Sequence, residues 1–331
     1  MNSETVLFLS SHDVRALLAV DECTAAVEHA FRLHGEGKTL PPGVLGLHVS
    51  NGSFHIKAGV LSLSGNYFSA KINANFPDNL ARFALPTIQG LVILCNADNG
   101  APLAIIDSRE ITALRTAAAT AVAAKCLARP DSGVLTICGC GVQGRAQLAA
   151  VARMFPLRAG FAYDKNPQQA SVFASELSAD LNIPITAGDD LAGCIRRCDI
   201  CITCTTSHEP LVCEAEVHPG LFIAAVGADN PHKQEIHPEV MARSKIVCDV
   251  IEQCANMGDL HHALTAGAVS REDVHAELGE IVAGRKPGRE SAEEIVVFDS
   301  TGMALQDVAA AALAYEAAIG EQVGTVLQLS A

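Results

Sequence analysis

Short apolar runs alternate with helix-like segments through the middle of the chain. Five such runs are five or six residues long and mainly apolar: 134–138, 159–163, 199–204, 222–226 and 244–248. Segments with helical periodicity follow the runs at 134–138 and 159–163, most clearly over 167–181. Strands that are apolar on both faces are typical of a parallel sheet covered by helices. The pattern therefore predicts an α/β fold with a doubly wound, Rossmann-type parallel sheet.

The first 110 or so residues follow a different pattern. Strand-like runs lie close together at 52–57, 68–72, 90–95 and 103–106. Asn99-Gly100 is a strong turn signal between the last two of these runs. This spacing predicts a mostly antiparallel, hairpin-built sheet, preceded by a strand at 5–10 and helices at 11–20 and 21–34.

Two alanine-rich stretches predict long helices on either side of the Rossmann region. One covers 112–128, and the other covers about 302–319, where Ser300 is a suitable helix cap. A chain of 331 residues suits two domains. We expect an α+β domain made of 1–120 with 303–331, and a Rossmann domain made of 121–302.

Composition excludes several classes of partner. The formal net charge is −14, and an acidic protein repels the phosphate backbone, so we expect no nucleic acid. No run of about 18 apolar residues is present, so we expect no membrane span. The N-terminal residues lack the pattern of a secretion signal, so we expect a cytoplasmic protein.

Twelve cysteines are scattered through apolar stretches. Cys198, Cys201 and Cys204 have CxxCxxC spacing, which could indicate a metal cluster. However, they lie in an apolar, strand-like run, and no fourth cysteine stands at a suitable offset. We therefore expect reduced thiols and no metal site.

A glycine turn follows the first apolar run of the Rossmann region. Gly139, Gly141 and Gly144 form a GxGxxG motif between a predicted strand and a predicted helix. Asp164 stands 20 positions beyond Gly144, at the end of the next predicted strand. In a dinucleotide site the glycines admit the pyrophosphate, and the acidic residue accepts hydrogen bonds from the ribose. We expect NAD, with NADH preferred to NADPH, although Lys165 would soften the repulsion of a 2′-phosphate.

Several segments together resemble the ornithine cyclodeaminase/μ-crystallin family. They run in matching order through nearly the whole chain, and they cover 71–79, 85–90, 111–125, 225–235 and 297–302. The resemblance implies a homodimer built through the N-terminal domain. It also implies hydride chemistry on an amino or imino acid, because the family includes cyclodeaminases, alanine dehydrogenases and ketimine or iminosuccinate reductases.

The resemblance also implies roles for individual residues. Lys71 and Arg115 would bind the α-carboxylate of the substrate, with Arg115 also next to the nicotinamide. Asp229 would act as acid or base near the substrate nitrogen. Besides Arg115, the glycine motif and Asp164, the implied cofactor contacts are Thr87, Val142, Gln143, Thr205, Val226, Lys233 and Ser300. Simpler explanations remain open: Lys233 as a surface lysine, Ser300 as a helix cap, and Asp229 as a turn residue.

The chain departs from the family where an ornithine side chain would bind. It has Gly43 after two prolines, where ornithine-specific members commonly have an arginine. It has His55 and Lys57 where those members have an acidic residue for the distal amine. A lysine there favours a substrate with a second carboxylate, unless Lys57 is a strand-edge residue that points into solvent.

These observations predict a reductase that uses NADH to convert a small α-imino acid into the amino acid, or catalyses the reverse reaction. The same features leave three alternatives open. The first is a cyclodeaminase, which releases ammonia and recycles NAD. The second is a pyrroline-2-carboxylate reductase, and the third is a crystallin-like protein that binds ligands without turnover.

The absence of a metal is directly testable. Elemental analysis of the purified protein should find iron and zinc far below one atom per chain, because the CxxCxxC segment is predicted to be a buried strand. A stoichiometric content of either metal would contradict this prediction.

Overall fold

A computed structural model describes residues 5–329, and it divides them into two compact units. The first contains the described residues up to Arg115 together with those from Met303 onward, and the second is Thr116–Gly302. The boundary near residue 115 falls inside a continuous helix, five residues before the expected position.

The described residues contain fifteen strands and twelve α-helices. The strands are β1 (Thr5–Leu9), β2 (Gly43–Val49), β3 (Gly52–Ser62), β4 (Asn66–Asn75), β5 (Ile88–Asn96), β6 (Pro102–Asp107), β7 (Val134–Cys138), β8 (Ala159–Tyr163), β9 (Ile185–Ala187), β10 (Ile200–Thr203), β11 (Phe222–Ala225), β12 (Lys245–Cys248), β13 (Val274–Glu277), β14 (Val296–Asp299) and β15 (Thr325–Gln328). The helices are α1 (Ser11–Leu17), α2 (Val20–Gly35), α3 (Asn79–Phe83), α4 (Ser108–Leu127), α5 (Val142–Ala152), α6 (Pro167–Leu181), α7 (Leu191–Ile195), α8 (Pro238–Ala242), α9 (Ile251–Met257), α10 (Asp259–Thr265), α11 (Leu278–Val282) and α12 (Ala304–Glu321). None of these helices is both long enough and apolar enough to cross a membrane.

The first unit is built on a seven-stranded sheet with the order β15-β1-β6-β5-β4-β3-β2. Strands β2 to β6 form the expected antiparallel succession of hairpins. Strand β1 joins β6 in parallel, and β15 pairs antiparallel with β1. The register of β3 and β4 places Lys57 directly opposite Lys71. Directly opposed residues project to the same face of a sheet, so both lysines share one face.

Helix α12 packs against β3 and β4. Most of it is buried, and its first half is rich in alanine, which permits close approach of a helix to a sheet. The fit at Gly59 is tight, because a Cβ there would lie 2.9 Å from Leu305 Cδ2. The helix begins after Met303 as its N-cap, so the expectation that Ser300 caps it is wrong.

The second unit is built on eight parallel strands in the order β13-β12-β14-β11-β10-β7-β8-β9. This is the doubly wound sheet that the apolar runs predict. The chain moves outward from β7 through β8 to β9, and then resumes on the other side of β7 with β10. Such a reversal opens a crevice at the carboxyl ends of the two central strands. All twelve cysteines are free thiols, and the CxxCxxC segment forms β10 with its flanking residues.

Candidate active site

The carboxyl edge of the parallel sheet collects most of the expected cofactor residues. Strands β8, β7, β10, β11 and β14 are successive neighbours. The residues that follow them at this edge are Asp164, Gly139, Thr205, Val226 and Ser300. Residues far apart in the sequence therefore line one crevice, as the parallel topology requires.

The glycine turn leaves room for a ligand at the start of α5. Gly139 has a φ of 102°, a left-handed conformation that favours glycine. A Cβ at Gly144 would lie 2.1 Å from the Gly139 carbonyl oxygen, so the turn closes only with glycine there. At Gly141 a Cβ would meet no atom within 4 Å, and Val142 is 73% exposed. The backbone around Gln143, in the first turn of the helix, can thus approach a pyrophosphate closely.

A cavity of about 560 Å³ lies against this turn. Gly139, Gly141, Asp164 and Thr205 all line it, and so does Lys165. The residues present therefore fit a dinucleotide, with the glycine turn as the pyrophosphate cradle and a carboxylate at the end of the neighbouring strand.

Asp164 also holds the turn itself. Its Oδ2 accepts a hydrogen bond of 3.0 Å from the Cys140 backbone N–H, and its Oδ1 accepts one of 2.9 Å from the Asn166 N–H. The sequence suggested only the contact with ribose. In the structure this carboxylate connects the glycine turn to the end of β8, and its contact with ribose stays a prediction.

The loop after β11 contains an internal ion pair. Lys233 Nζ lies 2.8 Å from Asp229 Oδ1. The Lys233 side chain is only 11% exposed, so it is not an ordinary surface lysine, whereas that of Asp229 is 46% exposed. Asp229 is therefore accessible, and it is held in place by a neighbour in its own loop.

Ser300 is buried at the end of β14. Its hydroxyl lies 3.1 Å from Asp249 Oδ2, and its backbone N–H donates to the Ala225 carbonyl oxygen. Thr87, by contrast, belongs to the first unit, just before β5, where its carbonyl oxygen accepts from the Phe76 N–H. Because the crevice belongs to the second unit, the contact of Thr87 with the cofactor stays a prediction.

A buried ionic cluster occupies the first unit, on the face of the sheet covered by α12. Lys71 Nζ lies 2.7 Å from Asp307 Oδ1, and Arg115 Nε lies 2.9 Å from the same oxygen. Arg115 Nη1 also donates a 2.8 Å hydrogen bond to Gln306 Oε1. Sequence reasoning found Lys71 and Arg115 but missed Asp307 and Gln306. The available signal was a polar pair, Gln306 and Asp307, in the first turn of an alanine-rich helix.

Lys57 belongs to the same cluster. It is 7% exposed and stands opposite Lys71, and its positive charge acts on both Lys71 and Asp307. The alternative that Lys57 points into solvent is therefore wrong. His55 lies two residues earlier on the same face of β3, half-buried, with Nε2 2.9 Å from Ser53 Oγ.

The electrostatics of this cluster favour an additional anion. Burial and the charges of Arg115 and Lys57 lower the pKa of Lys71 to about 7, against the opposing effect of Asp307. Burial alone would raise the pKa of Asp307, but Lys71 and Arg115 outweigh it, and the pKa is lowered. When Lys71 is protonated, three positive charges surround one negative charge. A bound carboxylate would reduce this imbalance and favour the charged lysine.

A second buried group bears on the expectation of no metal. Ligand atoms of Cys248, Cys254 and Asp299 lie within 4.8 Å of one another, and all three residues are buried. No sequence motif connects the three residues, because Asp299 is far from the two cysteines along the chain. Elemental analysis therefore tests this group as well as the CxxCxxC segment.

Residues 4–322 match the sequence profile of the ornithine cyclodeaminase/mu-crystallin family. The chain belongs to this family. The resemblance drawn from the motifs is confirmed, and the Rossmann-like fold agrees with that of solved family members.

Three solved structures illustrate the similarity. An archaeal alanine dehydrogenase dimer with bound NAD shares 40% identity and a TM-score of 0.93, with 98% of this chain and 100% of that chain covered. The Δ1-pyrroline-2-carboxylate reductase of Thermococcus litoralis, in complex with NADH and L-proline, shares 35% identity and a TM-score of 0.92, with 97% and 99% covered. The iminosuccinate reductase of Paracoccus denitrificans, in complex with NAD+, shares 29% identity and a TM-score of 0.89, with 98% and 99% covered.

Replacing Asp164 should change the cofactor preference. We expect the wild type to use NADH with a higher kcat/KM than NADPH, because the carboxylate would repel a 2′-phosphate. Asp164→Asn removes the charge but keeps an acceptor for the Cys140 N–H, and Asp164→Ser also shortens the side chain. Both should lower the NADH-to-NADPH ratio of kcat/KM by about tenfold, which corresponds to about 1.4 kcal/mol.

Asp180→Asn provides a matched control, since Asp180 is an exposed carboxylate on α6. It should leave the ratio unchanged. Equal efficiency of the wild type with both cofactors would contradict the role assigned to Asp164.

Proposed function

We propose that this protein is an NADH-dependent reductase that converts a small α-imino acid into the corresponding amino acid, and that catalyses the reverse oxidation under suitable conditions. The observation that carries the proposal is the buried cluster of Lys57, Lys71 and Arg115 around Asp307. Its surplus of positive charge favours a carboxylate ligand. The same chain also contains a crevice that fits a dinucleotide. The similarity to enzymes named for amino and imino acids supports the same reaction class.

The carboxylate of the substrate would bind Lys71 and Arg115. The planar guanidinium can donate two parallel hydrogen bonds, which fixes orientation as well as position. Asp307 and Gln306 hold these cations in buried positions, so little side-chain freedom is lost when the substrate binds. When bound, NADH supplies the hydride that reduces the imine carbon.

Asp229 would exchange the proton at the substrate nitrogen. An iminium accepts a hydride more readily than a neutral imine, and a nearby carboxylate stabilises the iminium by its charge. The Lys233 ion pair holds the Asp229 carboxylate in place for this role. Asp229 is exposed enough to reach a ligand, which a residue that only stabilised a turn would not need.

An ornithine cyclodeaminase is the weaker candidate. A distal ammonium group beside buried Lys57 would be repelled by several kcal/mol, at an effective dielectric of about 20 and a separation of a few ångströms. Gly43 also supplies no cation where ornithine-specific relatives place one. Reduction of a cyclic imine, as in the pyrroline-2-carboxylate reductase at 35% identity, remains a second candidate substrate class.

The first unit also offers a surface for a second copy of the chain. On the face of its sheet opposite Lys57 and Lys71, large apolar side chains are exposed across four neighbouring strands: Leu45, Leu47, Phe54, Ile72, Leu91 and Ile93. An exposed apolar patch of this extent is typical of an interface. We propose that this face forms a homodimer interface, and the archaeal alanine dehydrogenase, which was solved as a dimer, supports a dimeric assembly. A cytoplasmic location stays a prediction.

One assay separates the candidate functions. The purified protein is incubated with NADH and a panel of 2-oxo acids, each with ammonia or methylamine, and with cyclic imines, while absorbance and ammonia are followed. A reductase consumes NADH in proportion to the imine added. A cyclodeaminase given ornithine releases ammonia without a net change in NADH, and a binding protein does neither. Either of the latter results would contradict the proposal.

Lys57 should determine the preference for a second carboxylate. Replacing it with methionine keeps the length of the side chain but removes a charge-assisted hydrogen bond worth about 1.5–3 kcal/mol. We expect Lys57→Met to lose about 10- to 100-fold in kcat/KM with an iminosuccinate-type substrate, and to lose much less with pyrroline-2-carboxylate.

Lys38→Met is the control, because the Lys38 side chain is 65% exposed. It should behave like the wild type on both substrates. If Lys57→Met lowers kcat/KM equally on both substrates, or on neither, Lys57 does not contact a distal carboxylate.

A further inference from the structure

Glu235 is a fully buried carboxylate that connects two loops of the dinucleotide crevice. Its Oε1 accepts hydrogen bonds from the Thr205 backbone N–H and from Thr205 Oγ1, at 2.6 and 2.7 Å. Its Oε2 accepts from Thr203 Oγ1 and from the Gly227 N–H, at 2.7 and 2.8 Å. Four donors therefore converge on one side chain.

The two loops held in this way have different functions. Thr205 follows β10 and lines the cavity beside the glycine turn, where a Cβ on Gly139 would lie 3.1 Å from Thr205 Cγ2. Gly227 follows β11 and leads directly to Asp229. The carboxylate thus fixes a wall of the cofactor cavity and the start of the loop that carries the acid–base candidate.

The packing around Glu235 allows little adjustment. A Cβ on Gly227 would lie 2.4 Å from the Thr205 carbonyl oxygen and 2.5 Å from Glu235 Oε1. The Glu235 backbone is also fixed, because its N–H donates to Asp259 Oδ1 and its carbonyl oxygen accepts from the N–H groups of Leu211 and Val212. A shift of either loop would therefore displace the other.

Both carboxylate oxygens of Glu235 must act as hydrogen-bond acceptors, because each one faces two donors. Burial raises the pKa of Glu235, while the four donors favour the carboxylate form. Two of the donors are backbone N–H groups, which cannot rotate to become acceptors. A glutamine in this place would turn its own N–H₂ group against either Thr205 N–H or Gly227 N–H, and one loop would have to move.

We propose that Glu235 is a positioning residue that holds the Thr205 loop and the Gly227–Asp229 loop in the arrangement needed for dinucleotide binding. Only the expected effect of Glu235 on turnover rests on the proposed reductase function. The effect on cofactor binding is independent of the substrate, since NADH binding is measured without any imine.

The test is Glu235→Gln, assayed by NADH fluorescence titration, by thermal unfolding and by steady-state kinetics. We expect the Kd of NADH to rise by about tenfold or more and kcat to fall. The KM for the imino acid should stay within about twofold, because the carboxylate cluster lies in the other unit. A purely structural role would lower the unfolding temperature without this selective change.

Asp199→Asn is the matched control. Asp199 Oδ2 also accepts two backbone N–H bonds, from Gly133 and Val134, and its Oδ1 accepts from the Arg129 guanidinium, which an asparagine N–H₂ would oppose. All of these contacts lie at the amino edge of the same sheet. It should destabilise the protein while leaving the Kd of NADH unchanged. An unchanged Kd in Glu235→Gln, or an equal rise in Asp199→Asn, would overturn the proposal.

A second variant covers the case in which Glu235→Gln does not fold. Thr203→Val removes one donor to Glu235 from a buried residue that does not line the cavity. We expect it to weaken NADH binding about threefold, and to add nothing when combined with Glu235→Gln if both fold, since the effect acts through the same carboxylate. Wild-type affinity in Thr203→Val, or full additivity in the double variant, would contradict the proposal. If the wild type binds NADH but reduces no imine, the proposed function fails while the Glu235 test still gives a result.

Discussion

One carboxylate, Asp307, permits three cations to be buried on one face of the first sheet. Lys71 and Arg115 contact it directly, and Lys57 stands beside Lys71 in the facing strand. Isolated buried charges are costly, so this arrangement persists only because α12 brings Asp307 onto the sheet. It also leaves a surplus of positive charge that a substrate carboxylate can neutralise. The packing of the alanine-rich helix and the proposed recognition of an acid thus depend on the same residue.

The second unit uses a different constraint, the common direction of its strands. Because all eight strands are parallel, their carboxyl ends meet at one edge, where the glycine turn, Asp164 and the Asp229 loop come together. Two carboxylates hold this edge, Asp164 half-buried and Glu235 fully buried. Asp164 ties the glycine turn to β8, and Glu235 joins the two loops beyond β10 and β11. Each of these carboxylates accepts hydrogen bonds from backbone N–H groups, which stabilise its negative charge at the edge of the sheet.

The sequence was sufficient where a signal is local and repeated. Apolar runs predicted the parallel strands, and the motif Gly139-x-Gly141-x-x-Gly144 predicted the cradle. Gly139 provides the left-handed turn, Gly144 permits close packing, and Gly141 leaves the start of the helix open. It was insufficient where a partner is distant: Asp307 is 236 residues from Lys71, and nothing near Glu235 in the sequence indicates four donors. Ser300 was misjudged as a helix cap because its preferred partner, Asp249, is 51 residues away.

The most direct test of the account is the number of protons taken up when a carboxylate binds. Isothermal titration of pyruvate into the protein saturated with NAD+, in buffers of different ionisation enthalpy, gives this number at each pH. Burial and two neighbouring cations hold the pKa of Lys71 at about 7, so the lysine is mostly neutral near pH 8 and a bound carboxylate should recharge it. We expect uptake of about one proton per chain near pH 8 and almost none near pH 5.5. Uptake that is absent at both pH values, or that does not change in Lys71→Arg, would contradict it.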